Sequence, residues 1–418
     1  MNPGSAGATL RSLALLLLAL ASPAVAQDVS SDPATHLSPL KVPAGSPPTF
    51  TIFTPRDGLG DEIWSTVGQG PDGFVWAGSA SSLSRFDGYR WHDIPDAPGR
   101  SLVRDMANDR QGRLWVIFER EGLAYYDGKG WHRVGEARFH QRFSTVGEGE
   151  SRELWVAHND GLARLEGDTW VEDPGNPVGN LGRAIAFART ASVGGEPREW
   201  LATADRGLWY RRASSEAWRR HEHPALANLA LTDIKRVQDK GVESLWVVSY
   251  GGGVARLRGN QMRLWRAETG ELPTEAVYSA VATHDADGEA QVWMASRAGL
   301  LRFRGERVDV FDRRHGLPAE AVRGVKLQTD SEGVDSLWLA TEGGIARATL
   351  AASPWNTVSL LGAADNGSFG VLVEPDGRGS ERLWVGSSRD GLALLEQGNW
   401  RYFRQGPGGL PARSVRGL

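Results

Sequence analysis

The side chains able to ligate a metal, move a proton or attack a bond are few and evenly spread along the chain. Of nine histidines, only His221 and His223 are close enough in sequence to share an ion. They lack a carboxylate or cysteine partner at ligand spacing, so no metal site is expected. His92 and His132 each follow a tryptophan at the same place in a recurring phrase, which marks surface positions more than ligands. The chain has no cysteine, which excludes disulfides, thiol catalysis and a lipid-anchored N-terminal Cys together. Acidic residues recur in Asp-containing turns at Asp72-Gly, Asp109-Arg-Gln-Gly112, Asp287-Gly and Asp376-Gly. Glycoside hydrolysis needs two positioned carboxylates, and where most turns carry one, none stands out. Gly251-Gly-Gly253 reads as a hairpin, and no phosphate loop, dinucleotide fingerprint or nucleophile elbow is present. No catalytic residue and no cofactor are assigned.

The elements that carry these residues are set by tryptophan. Trp76, Trp115, Trp155, Trp200, Trp246, Trp293, Trp338 and Trp384 recur at intervals of 39 to 47 residues, most within a Leu-Trp-Val or similar phrase. A second aromatic follows 15 to 19 residues later, at Trp91, Trp131, Trp170, Trp218, Trp265, Phe311, Trp355 and Trp400. These two positions absorb all of the 17 tryptophans except Trp64 and Trp209. The chain is therefore eight repeats of one unit.

Within one unit the local signals alternate between short apolar runs and turns. Leu102 to Ala107 ends at Asn108-Asp-Arg-Gln-Gly, Arg113 to Phe118 surrounds Trp115, and Leu123 to Tyr126 meets the Asp127-Gly hairpin before Trp131 to Val134. Four short antiparallel strands per unit and no helical period predict an all-β fold, a β-propeller of four-stranded blades. Large flat rings fill the wedge between radial blades, so the repeated tryptophans are expected to be core, each ring nitrogen finding a carbonyl.

The opening phrase Phe50-Thr-Ile-Phe-Thr-Pro-Arg-Asp-Gly-Leu-Gly matches Val308-Asp-Val-Phe-Asp-Arg-Arg-His-Gly-Leu-Pro. The fold thus begins with an outer strand, whose natural partner is the last blade of the ring. The Gly-Leu-Pro phrase is missing between Trp355 and Ser368, which favours seven blades over 50–360. Residues 361–418 then read as a further repeat, the opening of a second propeller; an eight-bladed ring is the alternative. The sequence stops inside what reads as a ninth unit and is expected to continue.

Residues 1–26 read as a secretory signal peptide, with Arg11, an apolar run from Leu13 to Ala21 and the Ala24-Val25-Ala26 cleavage pattern. Residues 27–49 are rich in Pro and Ser and read as a flexible leader. A net charge of −4 gives no general attraction to nucleic acid. The basic residues are nearly all arginine, and the five lysines (Lys41, Lys129, Lys235, Lys240 and Lys326) are read as base-composition bias.

These phrases resemble the two-component regulator propeller repeat. The matching segments are Asp72-Gly-Phe-Val-Trp-Ala-Gly-Ser, Asp160-Gly-Leu-Ala-Arg-Leu, Ala298-Gly-Leu-Leu-Arg-Phe, Trp338-Leu-Ala-Thr-Glu-Gly-Gly-Ile-Ala-Arg and Asp390-Gly-Leu-Ala-Leu-Leu. The resemblance implies periplasmic propellers in tandem, then an immunoglobulin-like module, a membrane span and a histidine kinase or diguanylate cyclase output. It implies a small-molecule or oligosaccharide ligand, association as a homodimer through the full-length receptor, and membrane attachment only through the part beyond the propellers. The acidic turns also resemble the aspartate boxes of sialidase-like propellers, which are structural and do not imply a hydrolase.

A ligand is expected where the loops between second and third strands converge with the inter-unit loops, a face contributed by Arg120, Asn159, Asp160, Arg206, Tyr250, Arg297, Glu342 and Arg389. Two functions are carried forward. One is the periplasmic ligand-sensing region of a membrane signalling protein; the other is a secreted propeller enzyme, a glycosidase or lyase acting on polysaccharide.

Overall fold

A computed structural model describes residues 48–350 and 368–415, apart from 61–62, 136–139, 148, 176–181, 215, 286, 330–333, 376–380, 388–390, 397–398, 407–408 and 413. The expected signal peptide and the join from Trp355 to Gly367 lie outside the described residues. Among the described residues, no helix is long and apolar enough to cross a membrane.

The chain folds as a β-propeller of four-stranded antiparallel sheets, numbered here 1 to 8 in chain order. The strands of sheet 2 run Val103–Asn108, Leu114–Phe118, Gly122–Tyr126 and Trp131–Val134, within a residue or so of the expected bounds. The innermost strands of sheets 1 and 3 to 7 are Trp64–Gln69, His140–Val146, Ala184–Thr190, Leu231–Asp239, Val277–His284 and Val322–Thr329. Each neighbours the next, and Val322–Thr329 neighbours Trp64–Gln69, so this circuit of sheets returns to its start. The outer strand of sheet 7 is Phe50–Phe53, paired antiparallel with Gly344–Thr349 in the register Phe50 to Ala348 and Phe53 to Ile345. The first strand therefore closes the ring on its last sheet. Sheet 8 begins at Ser368–Pro375 and has its own four strands.

The core lies between sheets. Trp76 and Leu83 of sheet 1 pack on Met106 and Val116 of sheet 2; Trp115 of sheet 2 packs on Phe143 and Val156 of sheet 3. The pattern repeats to Trp338 of sheet 7, which packs on Trp64, Val67 and Trp91 of sheet 1. Burying one such ring contributes about 4–6 kcal/mol of transfer free energy. The ring nitrogens correct one expectation: where a partner is seen among the described residues it is a side chain and not a carbonyl, and Trp76 Nε1 is buried without one. Trp115 Nε1 donates to Asp109 Oδ2 at 2.8 Å, Trp155 to Glu153 at 2.9 Å, and Trp200 and Trp293 to Thr190 and Thr283 at 2.8 and 3.0 Å. Asp109, Thr190 and Thr283 sit on or just after the first strand, one hairpin from the ring, whereas Glu153 precedes Trp155 by two residues on the same strand.

The innermost strands have no ladder partner toward the axis, so side chains meet their backbone groups. Asp105 Oδ2 accepts from Phe143 N at 2.9 Å and Asp233 Oδ2 from Ala280 N at 3.0 Å, each reaching the following sheet. Ser144 and Ser279 do the same for Phe187 and Val325. All seven strands carry a bulge near their start, and there Gly324 comes so close to Ser65 that an added Cβ would lie 2.8 Å from its carbonyl oxygen.

Candidate functional site

The start of each innermost strand pairs with the end of the second strand, so the turns between second and third strands sit at the same mouth of the channel as the links between sheets. One repeated bond ties these turns down. Glu119 N donates to Leu102 O at 2.9 Å, Ala204 N to Arg183 O at 2.9 Å, Tyr250 N to Ala230 O at 2.8 Å and Arg297 N to Ala276 O at 3.1 Å. Of the expected ligand residues, Arg120, Arg206, Tyr250 and Arg297 sit in or beside these bonded turns, and Glu342 N bonds Ala321 O at 3.4 Å in the same way.

The rim is uneven. On sheets 5 to 7, Tyr250, Arg297 and Glu342 gather around Tyr278, which sequence reasoning missed. Tyr250 is 53% exposed, and its ring lies 6.1 Å from that of Tyr278 at a 30° tilt. The Arg323 guanidinium stands 5.2 Å over the Tyr278 ring and pairs with Glu342, with Nε to Oε1 at 2.9 Å. Burial pushes the Tyr278 phenol above its ordinary range against the opposing pull of Arg323 and Arg297, so it stays a neutral donor. An exposed tyrosine beside a half-buried one, flanked by guanidinium and carboxylate groups, suits a sugar ring, which stacks its C–H face and hydrogen-bonds at its edge.

On sheets 2 and 3 the rim is a polar chain: Arg104 pairs with Glu119 and donates to Gln141 Oε1 at 3.3 Å, and Gln141 donates to Asn159 Oδ1 at 2.9 Å. Arg120, Asp160 and Arg206 are exposed turn residues whose backbone N–H groups bond to Ser101 Oγ, His158 Nδ1 and Thr203 Oγ1. They do not join the tyrosine cluster. Arg389 lies outside the described residues. Among the described residues, no three His, Asp or Glu side chains converge as metal ligands.

Below the rim, cations cross the channel. Arg142 of sheet 3 donates to Asp233 Oδ2 of sheet 5 at 3.1 Å and to Tyr278 O of sheet 6 at 3.2 Å. Lys326 of sheet 7 donates to Asp105 Oδ1 at 2.8 Å and Met106 O at 3.1 Å, both of sheet 2. Burial raises the Asp105 carboxyl, but the charges of Lys326 and Arg142 and bonds from Lys326 and Phe143 outweigh it and hold the group below its ordinary value. Lys235 and Lys326 occupy one repeat position, opposite Trp246 and Trp338 in their ladders. That shared position was the available sequence signal for them.

No protein-family model and no curated protein sequence matches this chain. Solved structures do. The extracellular domain of a hybrid two-component system from B. thetaiotaomicron superposes with a TM-score of 0.59 at 17% identity, over 89% of this chain and 50% of that one. A second such domain from the same organism gives 0.54 at 16% identity, over 89% and 49%. A catalytically inactive virginiamycin B lyase from Staphylococcus aureus gives 0.51 at 14% identity, over 72% and 99%. The chain thus spans about half the length of the two-component domains it matches, and the likeness to all three is one of fold.

Proposed function

We propose that this chain is the periplasmic ligand-sensing region of a membrane-bound signal transduction protein of the two-component regulator propeller family. Its output, a histidine kinase or diguanylate cyclase, would be carried by another part of that protein. The observation that carries the reading is the joint occurrence of the family's repeat phrases with a fold shared with extracellular domains of two-component systems. In this reading a ring of seven blades is followed by sheet 8 as the opening of a second propeller, and residues 1–26 direct export. The ligand is an oligosaccharide or similar polyhydroxylated small molecule, held on Tyr250, Tyr278, Arg323 and Glu342.

The test is calorimetric titration of the purified protein with a panel of neutral oligosaccharides, alongside product analysis of the same mixtures. Saturable binding with the sugars recovered intact supports the sensor. Cleaved or unsaturated products in proportion to protein would instead support a propeller lyase or glycosidase. Output is then measured in the full-length protein in vesicles, where the bound sugar must change phosphate incorporation or cyclic dinucleotide synthesis.

A further inference from the structure

Each of the seven innermost strands bulges near its start, which leaves one residue per sheet outside the ladder. In sheet 6 that residue is Tyr278, since Val277 pairs with Ser296 and Ser279 with Ala295. In sheets 2, 3 and 7 it is Arg104, Gln141 and Arg323. Both halves of the mouth thus draw rim residues from this one position. A bulge re-aims the extra side chain and frees its backbone groups from pairing. The freed carbonyl then needs another partner.

For Tyr278 that partner comes from across the channel. Arg142 of sheet 3 donates through Nη2 to Tyr278 O at 3.2 Å and through Nη1 to Asp233 Oδ2 at 3.1 Å. The same Asp233 oxygen accepts from Ala280 N at 3.0 Å. The bulged segment is therefore pinned at both ends by one charge pair, its carbonyl on the guanidinium and its amide on the carboxylate. Asp233 is 1% exposed, so these bonds lie in a desolvated setting, where they are strongest. The guanidinium is planar, and its two arms fix Tyr278 O relative to Asp233. The side chain of the same tyrosine enters the site: its ring lies 6.1 Å from that of Tyr250, with Arg323 5.2 Å over it.

We propose that Arg142 is a positioning residue of the tyrosine site, holding the segment from Tyr278 to Ala280 so that the Tyr278 ring meets the ligand beside Tyr250. The role rests on the reading of that cluster as the ligand site. Affinity on sheets 5 to 7 then depends on a residue of sheet 3, 136 residues away from Tyr278 in the chain. The dependence is reciprocal, because a ligand that restrains Tyr278 also strengthens its bond to Arg142. Occupancy of the mouth is thereby felt on the far side of the ring.

The experiment reads the ring directly. Fluorotyrosine is incorporated at the seven tyrosines, and Tyr278→Phe identifies the Tyr278 resonance in the fluorine NMR spectrum. Arg142→Lys keeps a cation for Asp233 but gives up the planar fork, and the Tyr278 resonance is expected to shift or broaden. Phe53→Ala loses packing on Trp338 and Phe86 at the ring closure, touches neither tyrosine, and is expected to leave that resonance in place. Should Arg142→Lys fail to fold, Arg142→Met combined with Asp233→Ser carries the same expectation. That pair removes both charges at once, and the serine can accept from Ala280 N as Ser279 accepts from Val325 N. Cellotriose, xylotriose and maltotriose are then titrated by calorimetry. The sugar that binds the wild type most tightly is expected to bind Arg142→Lys roughly fivefold or more weakly, and Phe53→Ala as it binds the wild type. A Tyr278 resonance unmoved in the Arg142 variants, moved equally in Phe53→Ala, or an unchanged affinity in the Arg142 variants overturns the proposal while leaving the tyrosine site standing. Absence of binding by all three sugars counts against the ligand reading of the cluster, and the resonance alone then decides whether Arg142 positions Tyr278.

Discussion

Lys326 Nζ lies 2.8 Å from Asp105 Oδ1, although 221 residues separate them in the chain. The bond reaches over the axis from sheet 7 to sheet 2, passing the sheet between them. Asp105 is 2% exposed, so its charge depends on that ammonium and on Arg142. Lys326→Met leaves a buried carboxylate with one of its two cations, and stability is expected to fall by about 3 kcal/mol in urea denaturation at neutral pH.

The same pair sets an acid limb. Asp105 titrates below its ordinary value of 3.8 in the folded protein, so the stability it contributes is complete above about pH 5 and is lost as the pH falls below that value. The gap between wild type and Lys326→Met, measured as unfolding free energy, is expected to narrow steadily between pH 5 and pH 3. A constant gap over that range would rule out the pair as its source.

Arg211 is fully buried in sheet 4, between Glu199 at 2.6 Å and Asp173 at 2.9 Å, with Trp218 stacked 4.4 Å from its guanidinium. Arg211→Met leaves the buried Asp173 without this cation and Glu199 with Arg189 alone, and is expected to cost about 3–5 kcal/mol, read as a lower denaturant midpoint. Arg211→Lys is expected to recover little, since an ammonium cannot serve both acids and the indole face in one geometry.

Ring closure is the next point of weakness. The Phe53 ring stacks on Trp338 at 5.7 Å and 13°, and also meets Phe86 and Trp91. Phe53→Ala is expected to destabilise by about 3 kcal/mol. Deleting Phe50–Phe53 uncovers the edge of Gly344–Thr349, and the expected result is self-association visible by size-exclusion chromatography.

Tyr250 separates binding from stability. With 53% of its surface exposed, Tyr250→Ala is expected to shift unfolding by less than about 0.5 kcal/mol. Affinity for a neutral oligosaccharide bound on the tyrosine cluster is expected to drop roughly tenfold, measured by calorimetry, since a stacking face is lost.

Much of this molecule is written in short-range pattern. The spacing of Trp76 through Trp384 predicts the repeat, the Asp-Gly turns predict hairpins within a residue or so, and the likeness of Phe50–Phe53 to Val308–Phe311 predicts a displaced outer strand. These features are local or periodic, because backbone pairing in a hairpin and packing between consecutive blades repeat from unit to unit. The cation contacts across the axis do not repeat. Arg142, Lys235 and Lys326 meet carboxylates and carbonyls through the direction their strands point once the ring is closed, across separations of up to 221 residues. Tyr278 was equally silent in sequence, since a single tyrosine at the head of an inner strand gains meaning only when the Tyr250 turn is bonded down beside it. Sequence by itself determined the blades and their tryptophan wedges; the tertiary structure alone decided which charges face each other, because that depends on the curvature that brings distant inner strands around one axis.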